Sequence, residues 1–348
     1  MGRLLTVTKD GALLEEYGYD ANGTRNYEMN TLRGIAGRNF AYSDEDHLLA
    51  AGDTNYQYDL DGFLTTKTEG ADVTTYDYSS RGELLRVNLP DGRSIEYVHD
   101  PLGRRIAKKV NGTVVKKYLW QGMTRLLAVY DNADNLLMRF DYADDRMPVA
   151  VAIEGVKYYL AYDQLGSLRV VADSAGNVLK RIDYDSFGNI IADTDEAFKI
   201  PIGFAGGLHD RDTGLVRFGF RDYDPDVGRW TAKDPIFFAG GDRDLYGYVL
   251  NDPVNSIDAF GLKNPFPHLP TITEAFPMSN FVAPVVDIII GGIEAGFAIS
   301  YGVAGILLLT QPELWPVAAI LVPTSLATGI DAYFRLSIAF ERLADPCP

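Results

Sequence analysis

Apolar and polar residues alternate in short runs through residues 1–199. Clear examples are residues 84–89, 94–98 and 177–184, which are rich in β-branched and aromatic side chains. An alternation with a period of two is typical of strands that bury one face. Short stretches containing Asp, Asn and Gly separate the runs, and these residues favour tight turns. The pattern predicts antiparallel β-hairpins that follow one another along the chain.

A short motif marks the ends of many of these runs. It consists of an aromatic residue or His, then usually Asp, two variable residues and Gly, as in Tyr58-Asp59-x-x-Gly62. The spacings are multiples of about 21 residues, which suits a unit of two strands and two turns. Because one hairpin cannot bury an apolar face alone, we predict a mainly β fold of stacked hairpins. Copies begin at Tyr19, Tyr58, Tyr78, His99, Tyr162 and Tyr184, and degenerate copies lie near Tyr42, Trp120 and Tyr142.

Composition divides the chain near residue 262. The chain has 348 residues and a formal net charge of −16. Residues 263–348 carry only three of the 32 basic and seven of the 48 acidic residues, and two of the 21 Tyr. A body rich in Tyr and charge is therefore followed by an aliphatic tail, which predicts a domain boundary. The acidic balance argues against a nucleic-acid partner, because binding to phosphates needs clustered Lys and Arg.

His and Cys residues form no arrangement that is typical of a metal site. The four His residues lie far apart in the sequence, and the single Cys, Cys347, is next to the C-terminus. The sequence also lacks a phosphate-binding glycine loop and a Cys-rich zinc module. We therefore expect no metal and no cofactor. The first residues lack a long apolar stretch followed by a cleavage site, so no secretory signal is evident.

Ordered sequence blocks follow the repeats and carry a resemblance to a known family. Together with the aromatic-Asp-x-x-Gly unit, they resemble the RHS repeat-associated core and the YD repeats of RHS proteins. The blocks read FAGGLHDRDTGL (204–215), FRDYDPDVGRW (220–230), KDP (233–235), LYGYV (245–249), NDP (251–253) and DAFGL (258–262).

The resemblance implies an architecture and a carrier function. It divides the chain into a YD-repeat β-sheet (1–199), an RHS core (200–262) and a variable hydrophobic tail (263–348). Such repeats spiral into a shell that encloses a C-terminal toxin, so the implied cargo is the chain's own tail. An immunity protein and a secretion machinery are the other implied partners. The implied location is secreted or envelope-associated in a bacterium, reached without a visible signal peptide.

The resemblance also implies self-cleavage by an aspartic-type site. The implied scissile bond is Leu262–Lys263, directly after the Gly-Leu that ends the core. Two close carboxylates suit this chemistry because one retains its proton while the other is ionised. We expect Asp234 and Asp212 to be the pair.

Supporting roles fall to three further charged residues. Asp210 and Asp222 compete with Asp212 for the second place, and Arg221 suits a role in holding a carboxylate or the cleaved strand. The alternative is structural: these Asp residues start turns, and Arg221 forms ion pairs. Two positions depart from the family pattern, with Ala259 in place of Pro and Gly203 in place of Arg. A core that does not cut is therefore the other interpretation.

The tail suggests a membrane-active payload. Residues 264–270 are rich in Pro, and residues 295–312 and 314–330 carry no charge. Lengths of 18 and 17 residues lie at the lower limit for a membrane span. We predict a short α-helical hydrophobic tail that contacts membranes through residues 283–330, or else a buried helical pair. Two other functions stay open for the whole chain: a non-catalytic cell-surface or binding YD-repeat protein, and a truncated RHS remnant.

Overall fold

The repeats form one long antiparallel sheet. The computed structural model describes residues 2–143 and 146–262, and the structural statements below concern these residues. Nineteen strands follow one another in chain order, and each pairs antiparallel with the next. The strands are β1 (Thr6–Lys9), β2 (Ala12–Tyr19), β3 (Arg25–Asn30), β4 (Ile35–Tyr42), β5 (Leu48–Ala51), β6 (Thr54–Tyr58), β7 (Leu64–Glu69), β8 (Asp72–Tyr78), β9 (Leu84–Asn88), β10 (Ser94–His99), β11 (Arg105–Val110), β12 (Thr113–Gln121), β13 (Arg125–Tyr130), β14 (Leu136–Tyr142), β15 (Pro148–Ile153), β16 (Val156–Tyr162), β17 (Leu168–Ala172), β18 (Val178–Tyr184) and β19 (Ile190–Asp193).

A second, smaller sheet follows the repeats. Short 3₁₀ turns accompany it, and another 3₁₀ turn precedes β4. The sheet contains β20 (Leu208–His209), β21 (Val216–Phe218), β22 (Arg221–Asp224) and β23 (Arg229–Trp230), and the 3₁₀ turns span Thr31–Arg33, Phe204–Gly206, Phe237–Gly240 and Val249–Asn251.

The repeat aromatic residue lies at or next to the end of every second strand. Tyr58 ends β6, Tyr162 ends β16, and the degenerate copy at Tyr42 ends β4. At each repeat aromatic the pairing register also shifts by a β-bulge, as between Gln57 and Tyr58. Bulges bend a strand and increase its twist, so a bulge in every unit curves the sheet. The predicted hairpin repeat is therefore confirmed, including its degenerate copies.

The repeat aromatic also links neighbouring hairpins by a hydrogen bond. Tyr162 Oη donates to the carbonyl oxygen of Pro148 at 2.9 Å, and Tyr42 Oη donates to that of Arg25 at 2.7 Å. Tyr19 and Tyr142 make the same contact, and the indole N–H of Trp120 replaces the hydroxyl in its unit. In these five units the repeat residue thus combines a large apolar ring with a donor at its far end, whereas the hydroxyls of Tyr78 and Tyr184 do not make this bond among the described residues.

His99 occupies the repeat aromatic position in its unit but does not make the hydrogen bond. Neither ring nitrogen of His99 has a hydrogen-bond partner among the described residues. Burial and the nearby charges of Arg217, Arg105 and Arg81 lower the pKa of His99 to about 2, so the ring is neutral. His99 thus serves as a packing residue.

The Asp and Gly of the motif form the turn that follows the strand. In the unit at Tyr58, Asp59 Oδ1 accepts the backbone N–H groups of Asp61 at 3.0 Å and Phe63 at 2.8 Å. Gly62 has a φ of +79°, which favours a residue without a side chain. Its α-carbon also faces Tyr246, whose hydroxyl lies 2.5 Å from the position that a Cβ would take. The turn glycine therefore serves both backbone conformation and close packing.

The tail predictions lie outside the described residues. These are the helical tail of residues 263–348 and the membrane contact of residues 283–330. Within residues 2–143 and 146–262, no helix is both long and apolar enough to cross a membrane. The domain boundaries at 199/200 and 262/263 stay predictions.

Removal of one repeat hydroxyl tests the link between hairpins. Tyr162→Phe leaves the Pro148 carbonyl without its donor, so we expect unfolding to become easier by about 1 kcal/mol. Tyr159→Phe is the matched control, because Tyr159 lies on the same strand, β16, and is exposed. Denaturant unfolding of both variants measures the difference. Equal losses of stability in the two variants would contradict a special role for the repeat hydroxyl.

Candidate functional site

Residues 200–262, which we name the closing segment, pack against the repeat sheet. The segment has a core of its own, built from buried rings that include Phe218, Tyr223, Trp230 and Tyr248. It also completes the cores of the sheet: Leu215 packs into one apolar cluster of the repeats, and Ile200 and Ile202 pack into another. The segment therefore depends on the sheet for its position.

Buried ion pairs hold the segment on the sheet. Asp222 on β22 accepts from Arg105 of β11 at 2.8 Å and from Arg217 of β21 at 2.7 Å. The side chains of all three residues are at most 3% exposed. These pairs hold the closing segment strongly on the sheet. Loss of the carboxylate or of a guanidinium group would leave an unpaired charge in the interior. Asp222, predicted as a supporting catalytic residue, thus occupies a structural ion-pair position.

Asp210 and Asp212 form a second ion-pair cluster. Lys108 Nζ of β11 lies 2.5 Å from a carboxylate oxygen of each. Asp210 also accepts from the Tyr97 hydroxyl at 2.7 Å, and Asp212 contacts Arg93 at 2.5 Å. Burial alone raises the pKa of both carboxyls, but these partners outweigh it and hold both pKa values below the usual range. Both residues are therefore ionised and pair with the sheet.

Arg221 of β22 is the centre of a third cluster, at the end of the closing segment. Its Nη2 lies 2.8 Å from Asp234 Oδ2 and 3.4 Å from Asp258 Oδ2, and all three side chains are buried. The guanidinium also lies over the Trp230 ring, 4.3 Å from its centroid. Burial lowers the pKa of Arg221 despite the two carboxylates. One cation thus serves two neighbouring acids.

The same cluster holds the backbone at Leu262. Arg221 Nε donates to the Gly261 carbonyl oxygen at 2.5 Å, and the Leu262 N–H donates to Asp258 Oδ1 at 3.2 Å. Asp234 Oδ2 and the Leu262 carbonyl oxygen both lie beside Gly240, at 2.8 and 3.2 Å from the position that a Cβ would take there. The peptide chain at the predicted scissile bond is therefore fixed next to two carboxyls.

Asp234 has the electrostatic character of a proton donor. Burial raises the pKa of Asp234 to about 6, against the lowering effects of Arg221 and of the Ile236 N–H, which donates to Asp234 Oδ1 at 2.9 Å. Asp258 and Asp242 are like charges that raise this pKa further, and both line a cavity with Asp234 and Arg221. The cavity has room for about one water molecule. A carboxyl with a pKa of about 6 beside further carboxyls suits acid–base catalysis.

The structure brings together part of the predicted site. Asp234 and Arg221 are in direct contact and lie at Leu262. Asp212 is not placed with Asp234, because its carboxylate pairs with Arg93 and Lys108 of the repeat sheet. Lys263 lies outside the described residues.

Sequence reasoning missed Asp258 as a site residue. The signal was present, since Asp258 precedes Leu262 by four residues in the final DAFGL block. The Asp-x-x-Gly spacing, however, is the spacing of the repeat turns, so a turn was the simpler interpretation. As for metals, the described part of the chain contains no group of three His, Cys, Asp or Glu residues arranged to hold an ion.

Fold and site together define a hairpin-repeat β-shell with a closing segment that ends in an acidic cluster. The family model described as Teneurin YD-shell matches residues 1–254, and the chain belongs to this family. Teneurin-3 of Danio rerio is 32% identical over 266 residues, which cover 74% of this chain and 10% of that protein. Double-stranded DNA deaminase toxin A of Burkholderia cenocepacia (strain H111) is 31% identical over 285 residues, which cover 71% of this chain and 19% of that protein.

Among solved structures, the Photorhabdus luminescens Tc holotoxin pore is similar at 18% identity with a TM-score of 0.44, over 77% of this chain and 18% of that one. The chain thus spans only a small part of the relatives that it matches. The predicted YD-repeat shell is confirmed.

Loss of a buried carboxylate tests how the closing segment is held. Asp222→Asn leaves Arg105 and Arg217 without their shared partner, so we expect a loss of about 3 kcal/mol or more of unfolding free energy. Asp141→Asn is the control, because Asp141 pairs with the half-exposed Lys157 and its loss costs less than about 1 kcal/mol. Denaturant unfolding compares the two variants. Similar small losses in both would contradict an anchoring role for Asp222.

Proposed function

We propose that the chain is an RHS-type toxin carrier that cuts its own backbone after Leu262. The observation that carries this proposal is the backbone of Gly261 and Leu262, held by Arg221 and Asp258 beside the Asp234 carboxyl. Burial explains the raised pKa of Asp234, as it does for Asp185; a role restricted to folding does not require this carboxyl to lie beside the Leu262 backbone. The cut releases residues 263–348, a fragment of 86 residues.

The proposed chemistry is hydrolysis of the Leu262–Lys263 amide by two carboxyls. Asp234, in its protonated form, donates to the Leu262 carbonyl oxygen and makes the carbonyl carbon more electrophilic. Asp258, which pairs with Arg221, takes a proton from a water molecule, whose oxygen bonds to that carbon. The C–N bond then breaks as the proton from Asp258 passes to the Lys263 nitrogen, and the new Leu262 carboxyl group returns a proton to Asp234. In this proposal Asp258 has the second catalytic role, for which the sequence analysis favoured Asp212.

The carrier role is supported by the relationship to a protein that bears the name of a toxin. The matched region covers 71% of this chain and 19% of that Burkholderia relative. In the proposed role the tail is the cargo, an immunity protein protects the producing bacterium, and a secretion machinery exports the chain to the envelope or beyond. Asp210, Asp212 and Asp222 serve to seat the closing segment.

The main alternative is a non-catalytic cell-surface or binding protein built on the same shell. The similarity to Teneurin-3 and the Ala259 that departs from the RHS pattern favour this alternative. A truncated RHS remnant predicts the same chemical behaviour, namely an intact chain. The covalent state of the purified protein therefore separates the carrier from both alternatives.

Aspartate variants test self-cleavage and its residues. We expect wild type to yield an 86-residue fragment that begins at Lys263, and both Asp234→Asn and Asp258→Asn to stay intact. Asp212→Asn is the matched control and cuts at the wild-type rate, because Asp212 pairs with the sheet. Denaturing gels and intact mass spectra report the outcome. An uncut wild type overturns the proposal, and a block in Asp212→Asn alone returns the second role to that residue.

The released tail is proposed to act on membranes. Its two uncharged stretches, residues 295–312 and 314–330, are the sequence basis for this step. We expect the cut wild-type protein to release dye from anionic liposomes and the intact Asp234→Asn protein to release little. No dye release by cut protein, even after the tail is separated from the shell, would favour a soluble helical pair.

A further inference from the structure

Gly240 lies beside the Asp234 carboxyl and the Leu262 carbonyl oxygen, the two groups that act at the proposed scissile bond. It is buried at the end of the 3₁₀ turn Phe237–Gly240. A Cβ at this position would lie 2.8 Å from Asp234 Oδ2 and 3.2 Å from the Leu262 carbonyl oxygen. The first distance is shorter than real Cβ contacts, so any side chain forces the carboxyl or the backbone at Leu262 to move. A side chain at residue 240 therefore changes the position of the Asp234 carboxyl relative to the Leu262 carbonyl oxygen.

Backbone conformation does not account for the glycine at this position. Gly241, the next residue, has a φ of +88° and needs glycine for that reason. Gly240 is absent from the positive-φ positions of the described chain, so its backbone admits any L-residue. What excludes a side chain at residue 240 is the close approach of Asp234 and Leu262.

We propose that Gly240 is a positioning residue for self-cleavage, because its missing side chain lets the Asp234 carboxyl reach the Leu262 carbonyl oxygen. The inference rests on the proposed cleavage and adds a residue to it. Gly240 itself neither donates nor accepts a proton in this role. It sets the distance across which Asp234 acts, and a displacement of about 1 Å at such a distance costs on the order of 100-fold in rate.

The charges around Asp234 provide a second test of the role of Gly240, through the pH dependence of the cleavage rate. Arg221 on β22 and Asp258 before Leu262 face the carboxyl, as does Asp242, which lines the same cavity. A methyl group at residue 240 removes water from Asp234 and adds no charge, so it raises the pKa of this carboxyl further. Because the proposed chemistry uses protonated Asp234, the rate falls as pH rises through this pKa. The alkaline limb of the pH–rate profile therefore moves to higher pH in the variant.

The experiment measures self-cleavage of the full chain after refolding, in the series Gly240→Ala and Gly240→Val. We expect a loss on the order of 100-fold in rate for Ala, a greater loss for Val, and an upward shift of the alkaline limb in the residual activity of Ala. Gly203→Ala is the matched control. A Cβ there would lie 2.8 Å from His209 Cβ, an equally close contact within the closing segment, and Gly203 does not line the cavity around Asp234. This control keeps most of the wild-type rate and an unshifted limb.

The outcomes separate the two proposals. Wild-type cleavage that Asp234→Asn blocks, together with a wild-type rate in Gly240→Ala, overturns the role of Gly240 and leaves the proposed function standing. An uncut wild type overturns both. Equal losses in Gly240→Ala and Gly203→Ala, with no shift of the limb in either, reveal general disruption of the closing segment and also overturn the inference. Thermal unfolding of each variant verifies that the shell is folded in the assay.

Discussion

A charged side chain that leaves water needs a partner of opposite charge, and this constraint governs how the closing segment meets the repeat sheet. Asp222 requires Arg105, Asp210 requires Lys108, and Asp226 accepts from Lys67 at 3.1 Å. These pairs join the segment to two strands of the sheet, β11 and β7. Apolar contacts alone tolerate sliding, whereas several buried pairs are satisfied together in only one position. These contacts therefore also fix the position of the end of the segment, where Asp234 and Asp258 lie.

Arg221 belongs both to the buried ion pairs and to the proposed cleavage site. Like the anchoring pairs, it is a buried cation with carboxylate partners, but its pairs lie within the closing segment and include the backbone at Gly261. One guanidinium serves two acids, and burial raises the pKa of Asp234 to about 6. The raised pKa alone does not distinguish this site, since burial also raises the pKa of the turn residue Asp185 to about 6; the distinguishing feature is the position of Asp234 beside the Leu262 carbonyl oxygen. The features that resemble ordinary ion pairs are therefore compatible with the acid–base role proposed for them.

The repeat could be predicted from the sequence because it depends on interactions between residues that are close in the sequence. An aromatic residue or His at the strand end recurs in each unit, and the complete copies add an Asp or Ser that caps the turn and a Gly at positive φ. Even the degenerate copies at Tyr42 and Trp120 keep the strand-end hydrogen bond. These features need only neighbouring strands, so periodicity was sufficient to predict them.

Only part of the site could be predicted from the sequence, because its residues contact partners that are distant in the sequence. Asp212 was a reasonable partner for Asp234 until the fold placed it against Arg93 and Lys108, which precede it by 119 and 104 residues. No local pattern reports such contacts. Asp258 was hidden for the opposite reason, since its spacing to Gly261 is that of a common turn. Gly240 gave no signal at all, because the close approach of Asp234 and Leu262 exists only in the folded chain.

The measurement that tests the account most directly is synthesis of the full chain in heavy-oxygen water, followed by mass spectrometry of the products. Hydrolysis at Leu262–Lys263 predicts a body that ends at Leu262 and carries one heavy oxygen atom in its new carboxyl group, with an unlabelled tail that begins at Lys263. A chain that stays at its full mass, or a cut at another bond, would contradict the account.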